Sequence, residues 1–137
     1  MEDTVIVIML KNPETGFLES EIGSYKIADD DELIYNIFAV EENGSVKTHI
    51  KLTIDKEIED WEYSAIFDYY DTEIFEAIGV SAQEDDNGYD PMWEIVFDFD
   101  DNIAVMEERI SNILKMHKSE LSDVYAAIKD LKEEYTD

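Results

Sequence analysis

The sequence contains no cysteine, which removes disulfides, thiolate nucleophiles and Cys-ligated metals at once. It contains two histidines, and no Ser or acid pattern beside either of them builds a nucleophilic triad. The five glycines, at positions 16, 23, 44, 79 and 88, never fall into GxGxxG or GxxxxGK spacing, so no phosphate-cradling loop is expected. No apolar run approaches the roughly 18 residues that a membrane span needs. Met1 leads into acidic residues instead of a basic leader, so a secretory signal is not expected and the Asn43-Gly44-Ser45 sequon reads as a turn. The largest deficit is in positive charge. Ten Lys and Arg face 36 Asp and Glu, for a net charge of −26, and residues 57–108 hold 18 acids and no base.

So negative a chain repels phosphate backbones and anionic membrane surfaces, and it attracts basic protein surfaces and cations. Solubility or adaptation to high salt would also account for the charge. The nine Lys, one Arg and 17 Ile point instead to a bacterial host with an AT-rich genome. With 137 residues and 45% hydrophobic composition the chain is too apolar for a disordered acidic tail and fits one folded domain. A cytoplasmic protein without a cofactor is the expected class.

The first half reads as β-structure. Residues 4–10 (TVIVIML) are apolar on both faces, as in a central strand. Asn12-Pro13-Glu14-Thr15-Gly16 is turn chemistry, and residues 17–27 form a second strand with a bulge or bend expected at Gly23. After the acidic loop at 29–32 come strands at 32–40 and 46–54, joined by the Asn43-Gly44 hairpin signal. The spacing predicts a four-stranded antiparallel meander. Beyond it, Ile58, Trp61, Ala65 and Tyr69 recur at helical spacing over 57–70. Asp71 or Thr72 starts a second short helix that Gly79 ends, and residues 81–91 form a polar loop. Residues 92–100 alternate again. Trp93, Ile95, Phe97 and Phe99 face inward, and Glu94, Asp98 and Asp100 face outward with no counter-ion nearby in sequence. Residues 102–135 carry two apolar stripes that slip in phase near Leu114–His117. This favours two helices joined at His117-Lys118-Ser119 over one continuous, dimer-forming helix. The expected fold is α+β: an antiparallel sheet of about five strands, the N-terminal meander plus the later strand near 92–100, with helices on one face.

Three constellations bear on chemistry. Counted as a twelve-residue calcium loop, residues 83–94 place Asp85, Asn87, Gly88 and Glu94 at ligand or turn positions, but Gln83 and Asp90 break the pattern and a strand follows, so a hydrated turn is the expected state. Glu94, Asp98 and Asp100 could support a small metal-assisted hydrolase, although in a chain with 36 acids such spacing is weak evidence. The stretch Asp60–Asp71 (DWEYSAIFDYYD) sets five aromatics among carboxylates, with Trp61 and Tyr69 on the expected core stripe and Tyr63 and Tyr70 off it. Aromatic area beside carboxylates suits a basic partner. In size and charge the chain resembles nucleic-acid-mimicking inhibitors. That resemblance implies occupation of a basic groove, and the charge itself leads to the expectation of no direct nucleic-acid or membrane binding. The expected function is non-catalytic docking of a basic protein surface, through Asp60, Glu62, Tyr63, Asp68, Tyr70, Asp71, Glu94, Asp98 and Asp100. A monomer is expected, or a homodimer with a structural role joined through residues 102–135. Both histidines are expected to be exposed or partly packed.

Overall fold

The computed structural model describes residues 4–27, 31–86 and 88–135. Six strands form one sheet: β1 (Thr4–Lys11), β2 (Leu18–Ile27), β3 (Ile34–Glu42), β4 (Ser45–Leu52), β5 (Ser81–Asp85) and β6 (Met92–Asp98). Their order across the sheet is β2-β1-β3-β4-β6-β5. The helices are α1 (Asp60–Tyr69), α2 (Ile103–Ile128) and the short α3 (Lys132–Tyr135), with a 3-10 turn at Thr72–Ile78.

Both predicted N-terminal hairpins form. Asn43 and Gly44 take φ of 53° and 83° at the β3–β4 turn, the left-handed pair that matches strand twist. Between β1 and β2 the register jumps from Ile8↔Gly23 to Met9↔Glu21, so the bulge falls next to Gly23, at Ile22. The meander does not form. β3 leaves β2 and docks beside β1 in parallel, through Leu10↔Ala39 and Lys11↔Val40. The reason lies in β2 itself: residues 18–21 are exposed and include Glu19 and Glu21, a composition suited to a sheet edge, where charge deters pairing with other chains. The carboxylate of Glu107 on α2 also accepts from the Lys26 N–H at 2.6 Å, occupying part of that edge. The second correction concerns residues 81–85, read from sequence as loop. They form β5, the opposite edge strand, paired from Ser81↔Val96 to Asp85↔Met92. The sheet is therefore six-stranded and mixed.

α1, the 3-10 turn and α2 cover one face of the sheet. Ile8, Tyr25, Ile50, Leu52, Trp93 and Ile95 meet Ile66, Phe75, Met106, Ile110 and Ile113 in one core cluster. Tyr25 lies over Gly23, where an added Cβ would sit 1.9 Å from its hydroxyl. The other face of the sheet is open, so Val5 and Val7 are exposed and β1 is buried on one side only.

α2 is a single helix of 26 residues, about 39 Å long at 1.5 Å per residue. Asn102 starts it, its side chain accepting from the Val105 N–H at 3.2 Å. The phase slip expected near His117 is absent because His117 is itself a core residue. Met106, Ile110, Ile113, His117, Leu121, Val124 and Ile128 form an unbroken seam at steps of three and four. That seam packs against the chain's own sheet, so the stripe expected to join two copies is already covered.

Candidate interaction surface

The residues expected to bind a partner separate into three groups. The first lies where α1 begins and the β5–β6 loop passes it. The helix starts because Glu62 turns back and accepts the Glu59 N–H at 3.0 Å. Asp60 is exposed in the first turn, and Glu62 is half-buried, 4.0 Å from Lys56. Tyr63 donates to the backbone carbonyls of Asp86 and Gly88, at 3.1 and 3.2 Å, and its ring meets Phe67 edge-on. It therefore clamps the loop to the helix. Burial, then the carboxylates of Asp86, Asp85 and Asp90, push its phenol above the usual range. The loop carries Tyr89 outward, 96% exposed. Lys56, Glu57, Ile58, Tyr89 and Asp90 line a groove of about 460 Å³ beside it. Tyr89, Glu57, Asp86 and Asp90 were not singled out from sequence, although Gly88-Tyr89-Asp90-Pro91 is turn chemistry with an aromatic at its centre.

The second group lies at the far end of α1. Asp68 accepts the Tyr135 hydroxyl at 2.7 Å, which pushes that phenol up to about 12. Asp71 caps the 3-10 turn, accepting the Glu73 N–H at 2.9 Å. Tyr70 corrects the sequence reading: it is 6% exposed and stacks on Trp93 at 4.2 Å, whereas Tyr69, expected inside, is 45% exposed. α1 ends at residue 69 and Tyr70 takes extended backbone geometry, so helical periodicity no longer governs where its side chain goes.

The third group, Glu94 and Asp98, projects from the open face of the sheet, and here the counter-ions missing from the local sequence arrive from β4. Cross-strand register sets Lys51 against Glu94 and Lys47 against Asp98. Lys47 pairs with Asp98, which holds that carboxyl below the usual range. His49 lies 3.2 Å from Glu94 and 3.1 Å from Glu42, stacked on Phe38. Lys51 pairs with Asp85 at 3.0 Å. Asp100, past the end of β6, accepts the Asn102 N–H at 2.8 Å. Of the metal candidates, Asp85 and Glu94 have these partners and Asn87 lies outside the described residues. Among the described residues no three His, Asp or Glu side chains gather as a metal site would require.

His117 is fully buried, not exposed or partly packed. Its Nε2 lies 2.7 Å from the Thr53 carbonyl oxygen and its Nδ1 2.8 Å from the Tyr70 hydroxyl. A carbonyl only accepts, so Nε2 carries the proton and Nδ1 accepts from Tyr70. Burial lowers the imidazole pKa to about 4 and raises that of the Tyr70 phenol. This linkage ties α2 to both the end of α1 and the end of β4. Nothing in the geometry exposes it to a substrate.

Among the described residues no helix is long and apolar enough to cross a membrane. Residues 1–136 match the sequence model of a family of unknown function (DUF6762), and the chain belongs to that family. No curated protein and no solved structure matches it.

Proposed function

We propose that this DUF6762 protein is a non-catalytic interaction protein that docks a basic protein surface. The docking edge is formed by the start of α1 and the β5–β6 loop. One contrast carries the reading. On the open face of the sheet Lys47, His49 and Lys51 face acids across the strands, whereas at the α1 edge Lys56 and Lys132 pair with Glu62 and Glu59, and exposed Asp60 and Asp86 stand beyond them with the protruding Tyr89 beside a groove. Exposed carboxylates steer a cationic partner, and an exposed aromatic supplies contact area and a cation–π face. Of the nine residues expected from sequence, Asp60, Glu62 and Tyr63 belong to this edge. Asp68 and Asp71 form a second acidic margin at the far end of α1. The metal-assisted hydrolase reading gains no support, because Glu94, Asp98 and Asp100 each have a separate partner.

The sharper form of the proposal is that the edge occupies a nucleic-acid-binding groove on its partner. The test is a pull-down from bacterial lysate at low salt, eluted by a salt gradient, with an edge variant (Asp60→Asn, Asp86→Asn, Tyr89→Ala) and an open-face variant (Asp98→Asn) in parallel. One basic protein should elute at a defined salt concentration, be lost by the edge variant and be kept by the open-face variant. Competition by DNA or RNA for that protein would support mimicry. A smear of ribosomal proteins, or equal retention by both variants, would overturn the docking reading.

A further inference from the structure

Arg109, the single arginine of the chain, is half-buried on α2. Among the described residues it forms no ion pair, although the chain holds 36 acids. Its Nη1 donates instead to the backbone carbonyl of Asp98 at 3.0 Å. A guanidinium offers five N–H donors in a planar fork, and one neutral carbonyl satisfies a small part of that capacity.

Beside Arg109 a cavity of about 150 Å³ opens between the end of the 3-10 turn, β6 and α2. Ile78, Val80, Phe97 and Ile113 form its apolar wall, and Arg109 and Asn112 supply side-chain donors. These two lie three residues apart on α2, the spacing that brings side chains together on one helix face. At the mouth Gly79 takes φ 73°, and a Cβ built there would meet nothing within 4 Å, so the entrance is open. The carboxylate of Asp98 also borders the cavity, but Lys47 pairs with it. Arg109 also helps hold the Asp98 carboxyl below its usual range, so its charge is shared with that carboxylate and offset only in part at the site.

We propose that this cavity binds a small monocarboxylate with an aromatic or branched apolar body, the body against Ile78, Val80, Phe97 and Ile113 and the carboxylate on Arg109 and Asn112. Size admits the class, since a volume of about 150 Å³ accommodates a benzene ring. Charge supports it. The arginine fork matches a carboxylate in bidentate geometry, a dianionic phosphate would meet stronger repulsion from Asp98 and the net charge of −26, and an uncharged ligand would forgo the charge-assisted hydrogen bonds to the guanidinium. The proposal is independent of partner docking at the α1 edge.

The test is a titration of the intact protein with sodium benzoate at physiological ionic strength, followed by ¹H–¹⁵N NMR on the Arg109 Nε–H, the Asn112 side-chain amide and the Gly79 backbone amide. Benzyl alcohol is the neutral comparison, and Arg109→Gln is the variant. Saturable shifts centred on these groups are expected, with affinity weaker by about tenfold for benzyl alcohol and for Arg109→Gln. Shifts that do not saturate, that centre elsewhere, or that match for benzoate and benzyl alcohol on the unmodified protein would overturn the proposal. The benzyl alcohol comparison decides the matter even if Arg109→Gln fails to fold.

Discussion

Lowering the pH from about 7 to about 5 should cost the fold about 2 kcal/mol at one residue, His117. Its imidazole is fully buried, its Nε2–H bonded to the Thr53 carbonyl and its Nδ1 accepting from the Tyr70 hydroxyl. Protonating Nδ1 would set a proton against that hydroxyl hydrogen and place a charge in an apolar setting, where Trp93 packs 5.3 Å away. Burial therefore lowers its pKa from 6.5 to about 4, against smaller opposing effects of the Thr53 hydrogen bond and the Asp55 charge. The sign follows from linkage. Below about 6.5 the unfolded chain takes up a proton that the folded chain refuses, so stability is full above that pH, falls as the pH drops, and levels off below about 4. At about 1.4 kcal/mol per pH unit the total loss is about 3 kcal/mol, of which about 2 falls between pH 7 and pH 5. Acidification also reduces the net charge of −26, which relieves repulsion and acts in the opposite direction. The assay must therefore be differential. Urea unfolding of the unmodified protein and of His117→Gln, whose amide retains a donor and an acceptor but does not titrate, should be compared at the two pH values. The variant should be less stable at pH 7 by about 1–3 kcal/mol and should lack about 2 kcal/mol of the acid sensitivity. Equal acid sensitivity in the two proteins would refute the reasoning, as would an NMR titration in which His117 protonates near 6.5.

Two further outcomes are expected. Gly23→Ala should destabilise the protein by about 1–3 kcal/mol, read as a lower urea midpoint at unchanged m-value, because the new methyl group would displace the buried Tyr25 ring that lies over Gly23. An unchanged midpoint would mean that the ring does not rest there. Raising ionic strength from about 10 to about 150 mM should raise Tm, measured by differential scanning fluorimetry, because screening relieves the self-repulsion of a chain with net charge −26. A Tm indifferent to salt would count against that repulsion.

Much of the fold was legible wherever a feature is local. Asn43-Gly44 gave the β3–β4 hairpin, the glycine at position 23 marked the bulge, and Gly79 ends the 3-10 turn in the left-handed conformation with φ 73°. Alternation along residues 92–98 placed Trp93, Ile95 and Phe97 inside. The candidate surface was legible only in part. Asp60, Glu62 and Tyr63 share an edge, but the loop that completes it, with Tyr89 and Asp86, reaches α1 through hydrogen bonds from Tyr63 to backbone carbonyls, and backbone acceptors leave no mark in a sequence.

By itself the sequence determined the excess of acid, the hairpins and the inward faces of the strands, because each depends on residue type and short spacing. Tertiary structure alone decided where the second hairpin docks, since the partner of β1 is chosen by which strand can afford to be an edge. It also decided the charge balance of the open face, where Lys47 and Lys51 on β4 come alongside Asp98 and Glu94 on β6, across more than 40 residues of chain. The clearest case is His117. Its position fits the α2 seam, yet a histidine can stay buried only if both ring nitrogens find partners, and those partners, Thr53 and Tyr70, come from two other elements of the fold.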